Sequence, residues 1–376
     1  MEVFFMSSNG QTQAVSSSAN SGSEPLGATL LAEIRQCARK AQQTIVLAEP
    51  QDDRVLYAAD DLLKDQTANI ILVGPQDPIQ KRAKELSLNI ERALVVDPAK
   101  SPMLEKFADV LYERRKHKGM TKDQAIATMK EQLFFGASIV RAGMADGMVA
   151  GSLSPTSRVI QAGLFCIGLA EGLKTVSSFF LMITPRKDLG IKGSFIFADC
   201  GVVPDPTSDQ LVDIAVSSAA HCKMLLHAEP LIAFLSFSSY GSAQHPNVDK
   251  VRNAVKIFHE RNTGLKGDGE LQLDAAIIAE VGAKKAPSST VAGKANVLIF
   301  PDLEAGNIGY KLTERFSGAR AVGPIMQGLN VPINDLSRGC HWEDIVDVAT
   351  ITALQAVDRK VARGLETKGA GLPKGL

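Results

Sequence analysis

Short apolar runs recur along the chain, each followed by a stretch whose apolar positions repeat every three to four residues. Runs at 44–49, 69–74, 93–97, 147–150, 178–184, 194–199, 231–237 and 296–300 are rich in Ile, Val, Leu, Ala and Phe and predict buried strands. Helical periodicity predicts helices over 52–64, after the Gly74-Pro75 stop, and over 102–115, 121–142, 155–170, 207–226, 246–261 and 303–318. A last helix after Arg338 closes the chain. Thr121 stands where a helix needs an N-cap. Buried strands alternating with helices imply an α/β protein with mostly parallel sheets.

Length and charge narrow the picture. A chain of 376 residues can build two domains with substantial cores, and the expectation is two α/β domains facing across a cleft. Forty-one basic and 41 acidic residues cancel, so no global field draws nucleic acid or an anionic membrane. An anionic ligand would need a local site. The five cysteines are scattered, without a CxxC pair, which predicts reduced thiols and neither a disulfide framework nor a zinc site. The first 26 residues, rich in Ser, Gly, Asn and Gln, are expected to be a disordered tail. They lack the basic start and apolar length of a signal peptide. No apolar run is long enough for a membrane span, and a soluble cytoplasmic protein is expected.

Candidate chemistry concentrates at residues 333–344, where Ser337, Arg338 and Asp344 fall within a short loop and the first turn of the following helix. A fixed cation and a hydroxyl there can grip a phosphorylated acyl group, with helix N-terminal amides adding to the grip. A carboxylate can take a proton from an attacking thiol. Singly, each has an ordinary reading: Ser337 as a cap, Arg338 as a surface cation, Asp344 as a complement to the helix dipole, Cys340 as a buried spacer. Asp268, Glu270 and Asp274 lack the ligand spacing of an EF-hand and read as a turn and helix start. The histidines form no HExxH pair, and no GxGxxG or P-loop pattern occurs, so no metal site is expected.

Taken whole, Asn334-Asp335-Leu336-Ser337-Arg338-Gly339-Cys340 resembles the active-site segment of the phosphate acetyl/butyryltransferase family, in its phosphate acetyltransferase branch. The segments 115–121, 197–200, 235–238, 268–276, 293–297 and 300–311 follow in that family's order, over about residues 30–360. The resemblance implies two three-layer α/β domains of the isocitrate/isopropylmalate dehydrogenase type. The first would be discontinuous, 27–171 plus 324–376, and the second would be 172–323. It also implies reversible acetyl transfer between acetyl phosphate and the thiol of coenzyme A by direct attack, with no bound cofactor and with partners limited to those substrates, phosphate and a second copy of the chain. Asp344 would be the base, Arg338 the clamp on phosphate and carbonyl, and Ser337 a hydrogen-bond donor. Arg115, Ser154, Thr156, Arg158, Asn307 and Lys311 would contact substrate or coenzyme A.

One departure stands out: Gln161 occupies a position where the family usually carries Arg. Arg158 lies one helical turn earlier and is expected to supply the missing charge. Three other readings compete with the acetyl enzyme. A phosphate butyryltransferase would share the chemistry. An acyl-CoA-binding regulatory domain would have no need for an intact Ser337, Arg338 and Asp344. A decarboxylating dehydrogenase would require a nicotinamide site and a metal-binding carboxylate set that the sequence does not display.

Overall fold

A computed structural model describes residues 26–369, 371–373 and 375–376. The expected disordered tail therefore lies outside the described residues, Leu26 excepted. Eleven strands are described: β1 (Thr44–Leu47), β2 (Asn69–Val73), β3 (Leu94–Val96), β4 (Gly147–Ala150), β5 (Ser177–Ile183), β6 (Ser194–Ala198), β7 (Leu231–Leu235), β8 (Lys266–Leu271), β9 (Val297–Ile299), β10 (Arg320–Gln327) and β11 (Ile333–Asp335). They form a five-stranded sheet, order β11-β4-β1-β2-β3, and a six-stranded sheet, order β10-β5-β6-β9-β7-β8. All pairings in the first sheet are parallel. In the second, only β5 runs against its neighbours. The α/β class and the two mostly parallel sheets are as expected.

Side-chain alternation on the strands sorts the core into layers. Ile45, Leu47, Ile70 and Leu72 enter a core lying between the two sheets, which also holds Phe179, Leu181, Ile232 and Phe234 of the second sheet. Val46, Ile71 and Val73 face the outer core of the first sheet. Phe180, Met182, Phe195 and Phe197 face that of the second. The middle core is continuous, which explains why no linker is visible in the sequence. Helix Trp342–Ala362 runs through it with nearly every residue from Ile345 to Ala356 buried.

A polar key joins the sheets at β11. The Asn334 side chain accepts from the Met326 N–H (2.6 Å) and donates to Thr352 Oγ1 and Gln355 Oε1 (both 2.7 Å). Gln355 Nε2 donates to the Met326 carbonyl (3.0 Å) and contacts His221 Nε2 at 3.0 Å. Burial pushes the His221 pKa down to about 4, against the opposing pull of the Ser217 carbonyl and Gln327. Its neutral ring can then accept from Gln355.

Three local expectations need correction. The helix expected over 121–142 is two helices, Lys122–Met129 and Gln132–Arg141, because Glu131 is extended and turns its side chain to Arg158. Residues 268–274 are not simply a turn before a helix. Through Leu271 they belong to β8, an edge strand, and the helix Leu273–Ile277 follows. Each acid there has its own partner: Asp268 accepts from Tyr240, Glu270 from Arg252 and Ser238, and Asp274 from Lys285. Finally, the helix expected over 155–170 ends as Thr156–Ala162, with a single π turn Gly163–Ile167 beyond it.

Candidate active site

In the first sheet the chain runs outward from β1 to β2 and β3, then returns to place β4 and β11 on the other side of β1. Strand order thus reverses between β1 and β4, and the crevice at the carboxyl ends of such strands is where open α/β sheets hold ligands. Three segments meet there: Glu49–Arg54 after β1, Gly151–Thr156 after β4, and Leu336–Asp344 after β11.

Glu49 organises the second segment. Its buried carboxylate accepts from the N–H groups of Gly151 (2.6 Å), Leu153 (3.4 Å) and Ser154 (2.8 Å) and from the Ser152 hydroxyl (3.2 Å). Gly151 is at φ 104°, and a Cβ there would meet Asp335 Oδ1 at 2.2 Å; only glycine fits. Thr156 Oγ1 lies 2.5 Å from Asp335 Oδ2. Burial pushes the Asp335 carboxyl up to about 7; the Glu49 charge adds to the rise, and the Thr156 hydroxyl and Leu336 N–H oppose it.

Arg54 ties the third segment to the second. Nη1 donates to the carbonyls of Arg338 (2.9 Å) and Cys340 (2.7 Å), and Nη2 to that of Ser152 (3.0 Å). Asp52 holds the guanidinium in place through Nε and Nη2. Burial works against the Asp52 carboxylate, and the Arg54 bonds and charge outweigh it, keeping its pKa below the usual value. The loop so fixed carries Ser337 and Arg338, both exposed. Among the described residues the Arg338 guanidinium has no ion pair. Ser337 Oγ accepts from the Gly339 N–H (3.3 Å). Asp344 Oδ2 accepts from the His341 N–H (2.8 Å). Cys340 is buried, and desolvation raises its thiol to about 11, which suits a packed spacer better than a nucleophile.

The other candidates fall into two groups. Ser154 and Arg158 line a cavity of about 560 Å³ at the carboxyl ends of β1, β2 and β3. Arg158 reaches Gln161 as the spacing predicts, but Glu131 also holds it (2.6 Å) and it lies over the Phe134 ring. A groove of about 380 Å³ runs from Arg158 and Gln161 to Phe165, on whose ring the Arg115 guanidinium sits at 3.8 Å. Asn307 and Lys311 stand apart on helix Leu303–Ser317: Asn307 Nδ2 donates to the Cys200 carbonyl after β6 (3.1 Å) and Oδ1 accepts from Lys311 (2.8 Å). No hydrogen bond among the described residues joins them to the 337–344 loop. Sequence reading missed Glu49, Asp52, Arg54 and the role of Asp335. The available signal was a polar Glu-Pro-Gln-Asp-Asp-Arg stretch directly after a buried strand.

The fold and these loops define an α/β protein with its polar side chains gathered at a topological switch point. The chain belongs to the phosphate acetyl/butaryl transferase family, whose model matches residues 29–353. A phosphate acetyltransferase of Clostridium acetobutylicum is 50% identical, covering 87% of this chain and 98% of its own length. That of Bacillus subtilis is 41% identical, covering 88% and 100%. A phosphotransacetylase structure from Streptococcus pyogenes superposes with a TM-score of 0.83 at 38% identity, covering 88% of this chain and 98% of its own. A branched-chain phosphotransacylase from Enterococcus faecalis, at 18% identity and a TM-score of 0.61 over 84% of this chain and 99% of its own, shares the fold.

Proposed function

We propose that the protein transfers an acetyl group reversibly between acetyl phosphate and the thiol of coenzyme A. The observation that carries this is the 337–344 loop, held at the crevice by Arg54, with the Arg338 guanidinium exposed and in no ion pair among the described residues. Likeness along nearly the full length of phosphate acetyltransferases supports the choice of substrates. In this reading Arg338 takes the phosphate and the carbonyl oxygen, Ser337 donates to the transition state, and Asp344 accepts the thiol proton. The reaction draws on these side chains without a resident cofactor.

Energetics constrain the proton transfer. A reference carboxylate at ~3.9 facing a thiol at ~8.5 leaves full transfer uphill by about 4.6 units, roughly 6 kcal/mol. Position at a helix N-terminus favours anions, so stabilising the thiolate closes the gap better than raising the base. Asp344 then takes the proton as attack proceeds. Coenzyme A is assigned to the groove between Arg115 and Arg158, where two cations can meet its phosphates. Arg158 would exchange Glu131 for substrate. That pair is partly exposed, at 37% and 45%, and a pair of this kind costs on the order of 1 kcal/mol to break, which a charge-assisted bond to a substrate phosphate offsets.

We place the protein in the cytoplasm, where its free cysteines stay reduced, and as a homodimer. Ile308, Leu312 and Phe316 are 56%, 50% and 86% exposed and recur at i, i+4 and i+8 on helix Leu303–Ser317, an apolar stripe suited to a second copy. The domain division we propose is the discontinuous one, with its second boundary after Gln327 so that β10 stays whole.

The test is thioester formation by the purified chain with coenzyme A and acetyl or butyryl phosphate. Preference for acetyl phosphate is the expected result. Preference for butyryl phosphate would keep the chemistry and change the acyl group. Absence of turnover with either, alongside tight acetyl-CoA binding, would overturn the enzymatic reading.

A further inference from the structure

Asp335 is a carboxyl group that the proposed chemistry does not use. It ends β11, two residues before Ser337, and is 1% exposed. One oxygen meets the Thr156 hydroxyl at 2.5 Å. The other, Oδ1, is buried and has no well-formed hydrogen bond among the described residues, only a weak approach of the Leu336 N–H, an arrangement that penalises the charged form. Thr156 is half-buried and follows Ser154 and Pro155, which line the 560 Å³ cavity. A threonine hydroxyl has a single hydrogen to give, so what Asp335 asks of it decides what it can offer a ligand.

Resting on the acyl-phosphate reading above, we propose that Asp335 is a positioning residue that sets the direction of the Thr156 hydroxyl. With the carboxyl neutral, Asp335 donates to Thr156 Oγ1, and the hydroxyl hydrogen is free to donate to a phosphoryl oxygen in the crevice. With the carboxylate charged, Thr156 must donate inward and presents only lone pairs to an anion. The group's elevation to about 7 puts this change within the working range of pH.

The charged surroundings are consistent with one dominant influence. Glu49 at the end of β1 is the charge that acts on Asp335. The helix Thr156–Ala162 brings Arg158, held by Glu131. The helix Trp342–Ala362 brings Asp344, bonded to the His341 N–H, and Asp347, paired with Arg320 of β10. Strand β4 brings no titratable group.

The experiment measures the KM for acetyl phosphate from pH 5.5 to 8.5 in the full chain, for the wild type and for Asp335→Asn, Thr156→Ser and Thr156→Val. A hydrogen bond to a charged group is worth a factor of about ten or more. The wild-type KM should rise about ten-fold with pH, more than kcat changes. Asp335→Asn should hold a low KM at every pH, its amide donating to Thr156 and its carbonyl facing the Leu336 N–H. Thr156→Ser should keep the wild-type profile, and Thr156→Val should be high and flat. A profile in Asp335→Asn that parallels the wild type, or a pH-dependent rise retained in Thr156→Val, would overturn the proposal. If the wild type forms no thioester, the acyl-transfer reading fails separately. Calorimetric binding of inorganic phosphate then decides: wild-type affinity falling relative to Asp335→Asn as pH rises supports the coupling, and parallel affinities overturn it.

Discussion

Arg54→Ala should disable the protein without unfolding it. Three charge-assisted bonds are removed at once, to the carbonyls of Arg338, Cys340 and Ser152. Bonds from a charged donor contribute about 1.5–3 kcal/mol each. The Arg54 side chain is 29% exposed, so water can re-bond the carbonyls, and about 1 kcal/mol per bond is a fairer figure. Loss of about 3 kcal/mol of preference for the ordered loop corresponds to roughly 100-fold. Part of that is absorbed by the loop's covalent attachment to β11 and helix Trp342–Ala362, leaving an expected fall of about 10- to 100-fold in kcat/KM. Arg54→Lys should recover little, since an ammonium cannot span three carbonyls and the Asp52 carboxylate as a planar fork does. Thioester formation and a thermal melt of each variant make the test. A folded Arg54→Ala variant within about threefold of wild-type kcat/KM would refute the reasoning.

Other outcomes follow from the same geometry. Asp344→Asn should cut turnover by about 10²–10⁴ if the residue is the base; near wild-type turnover would remove it from that role. Asp335 at about 7 and Asp347 at about 6 both lie above the reference carboxylate, so what they contribute to stability is complete below about pH 4 and is lost as pH rises through those values. Asp335→Asn should therefore stabilise the protein more at pH 8 than at pH 5, by about 2–3 kcal/mol, read from melts at the two pH values; an equal gain at both would contradict this. Glu131→Gln, by freeing Arg158, should lower the KM for coenzyme A a few-fold, whereas Gln161→Arg with a strong gain in turnover and a harmless Arg158→Ala would show that Arg158 does not supply the charge. Phe316→Asp should shift the protein toward monomers in analytical ultracentrifugation, and an unchanged dimer would move the interface elsewhere.

Most strands that sequence reading found are buried along their length, such as β1 and β2, where Ile, Val and Leu run without interruption. Those it missed carry interruptions with a physical purpose. β10 contains Gly323-Pro324, where its register on β5 shifts, and proline masks a strand. β11 has three residues, two of them polar, because Asn334 keys the sheets together and Asp335 bonds the Thr156 hydroxyl. The Ser337-Arg338 loop was legible as a motif, since its chemistry is contiguous in the chain. Its supports were not: Glu49, Arg54 and Thr156 act across more than a hundred residues of sequence, and spacing carries no trace of such pairings.

The return of the chain from the second sheet to the first has a mechanical consequence. β10 ends at Gln327 and β11 begins at Ile333, and Arg338 lies just beyond. A tilt of the six-stranded sheet is therefore conveyed to the guanidinium through a tether too short to slacken. The Asn334–Met326 bond clasps the two ends of that tether together, acting as a fulcrum. A ligand that drew the two sheets together would move the arginine by leverage, and the arginine's grip on that ligand would in turn resist reopening.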